Sequence, residues 1–269
     1  MLTDPFGRRI TYLRVSVTDR CNFRCIYCMG EEGVQLKSHT DILSYEQIVE
    51  IVTVASSLGV TKVRLTGGEP LVRRDVEVLV RQVAETPGIA ETCMTSNGSL
   101  LTMKKALALK AAGLSRINIS LDSLDPKRFL AITRCGNFDD VLRGIDAALE
   151  ADLTPVKINM VLLKDTTEEE VVRMREFCRK KGVFLQTIQS FRLDQPREMT
   201  TISADRPPPC ERCHRLRLTS DGFLKPCLFS DLEIPVDFHD IQGSIRTAVE
   251  QKPETGLICV QRTMSQIGG

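Results

Sequence analysis

Short β-branched apolar runs alternate along this chain with longer segments whose apolar residues recur every three or four positions. The first run, Thr11–Val17, alternates polar and apolar residues and reads as a strand ending just before Cys21. Ser44 and Gln47 form a capping-box pair. They open a helix to Leu58, with Ile48, Ile51, Val52 and Ala55 on one face, and Gly59 stops it. Val60–Thr66 is the second strand. A helix over Asp75–Glu85, a strand over Glu91–Thr95, a helix over Thr102–Ala112 and a strand over Arg116–Leu121 continue the pattern. Phe138–Leu149 reads as a helix, Val156–Leu163 as a strand, Thr167–Lys181 as a helix ended by Gly182, and Val183–Gln189 as the sixth strand. Strands separated by helix-sized stretches imply an α/β fold, a parallel sheet with right-handed crossovers. Six units fall short of a closed eight-stranded barrel, so an open, partial (β/α)6 barrel is expected.

The pattern stops after Phe191. Arg192–Pro209 is polar, carries Pro207-Pro208-Pro209, and reads as an extended linker. The expected division is a barrel over 1–191 and an extension over 192–269, made of linker, a second cysteine group and a Gly-Gly tail.

Composition changes this picture little. The chain has 269 residues, 42% of them hydrophobic, enough for a sizeable core, and a net charge of +1. That balance argues against a nucleic-acid or membrane partner, so any basic function must be local. No apolar run is long enough to span a membrane. Arg8-Arg9 has no apolar stretch behind it, and a cytoplasmic location is expected.

Cysteine usage does change the picture. Six of the ten cysteines fall in two tight groups, Cys21/Cys25/Cys28 and Cys210/Cys213/Cys227. In a reducing compartment, clustered cysteines point to metal. The scattered Cys93, Cys135, Cys178 and Cys259 read as small buried apolar residues. Three thiolates on a short loop would leave one iron of a cubane open, since four cysteines are usual. Zinc with a distant fourth ligand is the other reading of each group, and His214 or Cys259 could close the second. Zinc sites favour paired ligands and a complete tetrahedron. The first group sits just past the first strand, where parallel barrels place their chemistry.

The spacing Cys21-x3-Cys25-x2-Cys28, with Tyr27 before the last cysteine, resembles the signature of the radical S-adenosylmethionine (SAM) superfamily. Gly67-Gly68-Glu69-Pro70, after the second strand, is similar to that superfamily's glycine-rich motif. The string PPPCERCHRLRLTSDGFLKPCLF resembles the C-terminal cluster of the GTP 3′,8-cyclase (MoaA-like) family of molybdenum-cofactor synthesis. The opening FGRRITYLRVSVTDRCNFRCIYCM resembles the start of that family and IGG its end.

The resemblance implies a radical SAM barrel with a C-terminal iron–sulfur extension. It implies one [4Fe–4S] cluster on Cys21, Cys25 and Cys28 that chelates SAM, with Tyr27, Gly68 and Ser120 as cofactor contacts. A second [4Fe–4S] cluster on Cys210, Cys213 and Cys227 would hold the guanine base through its open iron. A 5′-deoxyadenosyl radical would take a ribose hydrogen, and ring closure onto the purine would follow. Arg14, Arg64, Thr95, Lys157, Arg215 and Arg217 match the family's substrate residues, with Arg14, Gly268 and Gly269 serving catalysis. The implied partners are GTP or a related nucleotide and an electron donor, and a homodimer is allowed.

The residues themselves support part of this. A cation on a strand that faces a barrel interior has little role there except to meet an anion. Arg215 and Arg217 alternate, so they share a face if their segment is extended. Some positions depart from the family. Gln186 stands where it has a triphosphate-binding arginine, Gln189 where it has a glutamate, and Phe191 where it has a methionine near SAM. The segment between the sixth strand and the second cysteine group is also shorter. These departures leave room for a two-cluster paralogue acting on another nucleotide or a peptide. An electron carrier or zinc-stabilised binding module would leave the GGEP motif and the strand cations without a role.

Overall fold

The computed structural model describes residues 1–195, 202–207 and 209–268. Six strands run parallel and in chain order: β1 (Tyr12–Ser16), β2 (Lys62–Thr66), β3 (Glu91–Ser96), β4 (Arg116–Ser120), β5 (Lys157–Leu162) and β6 (Phe184–Gln189). The crossovers carry α1 (Tyr45–Ser57), α2 (Val76–Ala84), α3 (Met103–Ala111), α4 (Pro126–Thr133), α5 (Phe138–Glu150) and α6 (Glu168–Lys181). This is the expected α/β partial barrel. The Ser44–Gln47 capping box is formed in both directions, and Gly182 ends α6 in the left-handed region at φ 71°.

Two parts were not legible in the sequence. α4 is short; Asp125 caps it by accepting from the Lys127 and Arg128 amides, and Phe129 and Ile132 anchor it in the core. Beyond residue 191, the chain does more than link. β7 (Arg215–Leu218) pairs parallel with β1, and β8 (Phe223–Lys225) and β9 (Ile234–Pro235) add antiparallel. The result is one nine-stranded sheet, β6-β5-β4-β3-β2-β1-β7-β8-β9. α7 (Ile241–Glu250) covers its far end, and α8 (Met264–Ile267) returns toward the barrel. The 192–209 segment is a linker only in part: Arg206 runs beside β6, its amide donating to Thr187 O and its carbonyl accepting from the Gln189 amide.

The period of two sorts the residues of the sheet. Leu13, Val15, Val63, Leu65, Ile117, Ile119, Ile158 and Met160 are buried in the apolar layer with Ile48, Ile51, Leu79, Val83 and Ile145 of the helices. The alternate positions carry Arg14, Arg64, Asn118, Ser120 and Asn159 toward the interior. Register sets these level with one another, Arg14 opposite both Arg64 and Arg217, and Asn159 opposite both Ser120 and Gln186.

The N-terminal arm ties the two ends of the chain. Arg8 is buried, pairs with Asp4 at 2.5 Å and donates to the carbonyls of Cys210, Pro253 and Glu254. Among the described residues no helix is long and apolar enough to cross a membrane.

Candidate active site

The first cysteine group occupies the loop after β1, at the C-terminal edge of the sheet. Cys21, Cys25 and Cys28 line one cavity with Gly67, Gly68 and Glu69 after β2, Asn97 after β3, Ser120 ending β4, and Asp122 beyond it. Burial pushes the Cys21 thiol up to about 11 and the Cys28 thiol to about 12; Cys21 adds to the rise at Cys28, and both add to that at Cys25. Such thiols ionise only against a strong positive charge, the setting a metal cluster provides. Tyr27 donates its hydroxyl to Asp122 at 2.8 Å, and Asp122 accepts the Val161 amide through its other oxygen. Tyr27 is therefore fixed to the β4–β5 side of the cavity. Burial lifts the Asp122 carboxyl to about 6.

The glycine motif has a packing reason as well as a ligand reason. A Cβ on Gly68 would fall 2.2 Å from Arg20 O, and one on Gly67 would fall 2.6 Å from Thr18 O. The Gly68 and Glu69 amides donate to Thr18 O and Arg20 O at 2.8 Å each. The glycines thus let the β2 end lie directly on the backbone that leads into the cysteine loop. Glu69 is buried and accepts from the Leu71 and Asn97 amides and from Ser96 Oγ, which joins the ends of β2 and β3. Its burial raises the carboxyl to about 7 against those three donors.

A second cavity of about 300 Å³ opens toward the N-terminal half of the strands. The structure brings Arg14, Arg64, Thr95, Lys157, Arg215 and Arg217 to its wall. Lys62, Arg116 and Arg206 join them, and among the described residues no acidic side chain lines it. Lys62 and Arg116 are shared by Glu91 at 2.5 Å each, which leaves the remaining cations dominant. Burial first, and then neighbouring cations, hold Arg14 down at about 10 and Arg217 at about 9. Arg215 Nε is buried without a hydrogen-bond partner. Crowded, desolvated cations of this kind are stabilised by a polyanion. Arg64 is also structural: it donates to Tyr12 Oη at 2.7 Å, to Met94 O, to Thr95 Oγ1 and to Asn118 Oδ1.

Cys210, Cys213 and Cys227 line a third cavity with Arg215, Arg217 and Lys252. A Cβ on Gly256 would meet Cys227 Sγ at 2.4 Å, so a glycine is required beside this group. The three cavities run in series. The first shares Thr95, Asn159, Ile188 and Phe191 with the basic one, which shares Pro207, Arg215, Arg217 and Leu228 with the third. Among the described residues, no three His, Cys, Asp or Glu side chains converge closely enough to share one ion.

Gly268 is buried within the barrel, its carbonyl accepting from Arg217 and Arg14, while Gly269 lies outside the described residues. Gln189 and Phe191 line the first cavity. Of the scattered cysteines, Cys93, Cys178 and Cys259 are buried, but Cys135 is exposed, held near the first loop by the Asn22 carbonyl. Cys135 follows a left-handed Arg134 at the end of α4, an element the sequence did not reveal.

Sequence reasoning missed Tyr12, Lys62, Glu69, Arg116, Asn118, Asp122, Asn159 and Arg206 as cavity residues. Parity along Arg116–Leu121 and Val156–Leu163 could have found Arg116, Asn118 and Asn159. Arg206 carries no such signal, since it lies off the strands.

The radical SAM superfamily pattern matches residues 15–178. The chain is 39% identical to a GTP 3′,8-cyclase of Petrotoga mobilis in an alignment over 326 residues covering 100% of both proteins. It is 38% identical to a GTP 3′,8-cyclase of Peptoclostridium acidaminophilum, covering 100% of this chain and 98% of that one. These alignments are longer than the chain, so the relatives carry residues that it lacks. In fold it is similar to Streptococcus suis SuiB bound to S-adenosylmethionine, with a TM-score of 0.67 at 17% identity over 89% of this chain and 68% of that one.

Proposed function

Because the chain belongs to the radical SAM superfamily and, within it, to the GTP 3′,8-cyclase family, we propose that it cyclises GTP in molybdenum-cofactor biosynthesis. The observation that carries this reading is the series of cavities, in which a basic chamber, with no acidic side chain on its wall among the described residues, lies between two thiolate trios. The residues present fit the groups the family implies. Each trio supplies three soft thiolates, the Gly67-Gly68 cradle sits against the first loop, and Gly256 makes room at Cys227.

Cys21, Cys25 and Cys28 would hold a [4Fe–4S] cluster, with Gly68, Ser120 and Tyr27 toward SAM. Cys210, Cys213 and Cys227 would hold a second cluster. When bound and reduced, the first cluster with SAM supplies a 5′-deoxyadenosyl radical able to take a hydrogen from ribose. The protein's own part is positioning and exclusion of water. Arg14, Arg64, Lys157, Arg215 and Arg217 share the wall of the basic chamber, where they would meet the triphosphate, and Thr95 stands between the two chambers. Buried cations that already repel one another gain most from such a ligand, which concentrates binding energy on the phosphates and away from the reacting sugar. Arg14 and Arg217, both on the chamber wall, donate to the Gly268 carbonyl, which sets Gly268 beside β1 and β7.

Anaerobically reconstituted protein with SAM and a reductant is expected to consume GTP and release a cyclised purine nucleotide. GTP should bind more tightly than guanosine. Equal binding of the two, with no GTP-dependent product, would overturn the reading and favour another substrate.

A further inference from the structure

A row of hydrogen-bonded side chains crosses the barrel interior and ends on a cation that no barrel strand carries. Arg64 donates to Asn118 Oδ1 at 3.0 Å, and Asn118 Nδ2 donates to Asn159 Oδ1 at 3.0 Å. Gln186 Nε2 donates to the same oxygen at 3.0 Å. Arg206 Nε completes the row on Gln186 Oε1 at 3.4 Å. Each joint is a neutral amide, so the row organises cations at its two ends without neutralising either.

Arg206 is held where it is by more than this one bond. Its amide donates to Thr187 O at 3.1 Å, and its carbonyl accepts from the Gln189 amide at 2.8 Å. The preceding Asp205 turns its carboxylate to Thr187, accepting from the amide at 2.8 Å and from the hydroxyl at 2.9 Å. That carboxylate is therefore engaged by β6, and the guanidinium faces a chamber whose wall carries no acidic side chain among the described residues. Burial, then the nearby Arg215 and Arg64, lower the Arg206 pKa against the opposite pull of Tyr12 and Asp205. A half-buried guanidinium placed among like charges costs stability unless an anion completes the set.

We propose that Arg206 is a phosphate ligand for the nucleotide substrate, carried into the barrel by the return segment and steadied by Gln186. The inference rests on the GTP reading and deepens it. The chamber is built from two sources, a strand set and a short stretch around Arg206 that runs parallel beside the edge strand β6. A guanidinium fork whose Nε is engaged by an amide still offers its terminal N–H groups to phosphate oxygens. On this account Gln186 is a joint and not itself a ligand.

The test is calorimetric titration of the reconstituted full chain with GTP and with guanosine at one fixed salt concentration. Wild type is expected to prefer GTP. Arg206→Ala should lose about ten- to a hundredfold in GTP affinity, with guanosine affinity kept and the unfolding midpoint of the nucleotide-free protein not lowered. Arg206→Gln keeps a donor for Gln186 but no charge, and should show the same loss. Adding Gln186→Arg to Arg206→Ala should recover GTP affinity, because the side chains at 186 and 206 meet. Wild-type preference for GTP combined with unaltered preference in both Arg206 variants would overturn the inference and leave the GTP reading standing. Equal binding of GTP and guanosine by wild type would overturn the GTP reading and this inference with it.

Discussion

Arg217 Nη1 donates to the carbonyl of Gly268 at 2.8 Å, and Arg14 Nη2 reaches the same oxygen at 3.4 Å. A residue far along the chain is thereby held between the first strand of the barrel and the strand added beside it. Gly268 has φ +74°, and a Cβ there would lie 2.2 Å from Thr66 Oγ1 and 3.2 Å from Ser16 Cβ. Only glycine fits both the backbone and the space.

Gly268→Ala should therefore displace the tail while leaving the cysteine loops intact. The expected outcome is continued 5′-deoxyadenosine release with loss of most of the cyclised product, measured by chromatography of both from one reaction. Full product yield from this variant would contradict the placement of the tail. Arg217→Ala should uncouple the two in the same way and weaken GTP binding as well.

Alanine at Cys21, Cys25 and Cys28 should halve the iron and sulfide content, from about eight of each for two cubanes to about four. SAM cleavage should disappear with it. Alanine at Cys210, Cys213 and Cys227 should halve the content equally but spare SAM cleavage, with product lost. Stoichiometric zinc in wild type, or SAM cleavage surviving in the first triple variant, would refute the assignment.

Gly68→Ala forces a methyl group against the Arg20 carbonyl, a backbone atom that cannot swing aside. The cost is expected to be about 1–3 kcal/mol in stability, and SAM binding should fall because the cysteine loop is pushed away. Thermal unfolding and SAM titration read the two effects; an unshifted midpoint would show that the contact is not rigid.

Burial, followed by Arg116, Arg206, Arg64 and Lys62, holds the Lys157 ammonium below the ordinary lysine range. A bound triphosphate reverses that push, so the pKa in the complex is higher than in the free site. Binding should take up protons in the alkaline range, and GTP affinity should fall as pH rises through the free-site pKa. Calorimetry in two buffers of different ionisation enthalpy measures the uptake. Lys157→Met should abolish it, and uptake undiminished in that variant would assign the proton to another group.

The order of β1–β6 with α1, α2, α3, α5 and α6, the cysteine spacing and the cations Arg14, Arg64, Lys157, Arg215 and Arg217 could be read from the chain, because period and spacing are local properties. Apolar residues at alternate positions decide which face of each strand meets the helices, and so which residues are left to face the interior. What lay beyond local pattern was the company each residue keeps. β7, β8 and β9 span 4, 3 and 2 residues, too short to signal themselves, and they become strands only by pairing beside β1. Asp122 and Glu69 gain their raised carboxyls only from burial by elements distant in sequence. Arg8 ties the first residues to Cys210 across the whole chain, and Arg206 reaches the chamber because Asp205 and Thr187 fasten a polar segment to the sheet edge. Sequence by itself determined the barrel and the donors it could offer. Tertiary structure decided which donors meet, because register and chain return set distances that no pattern along one strand encodes.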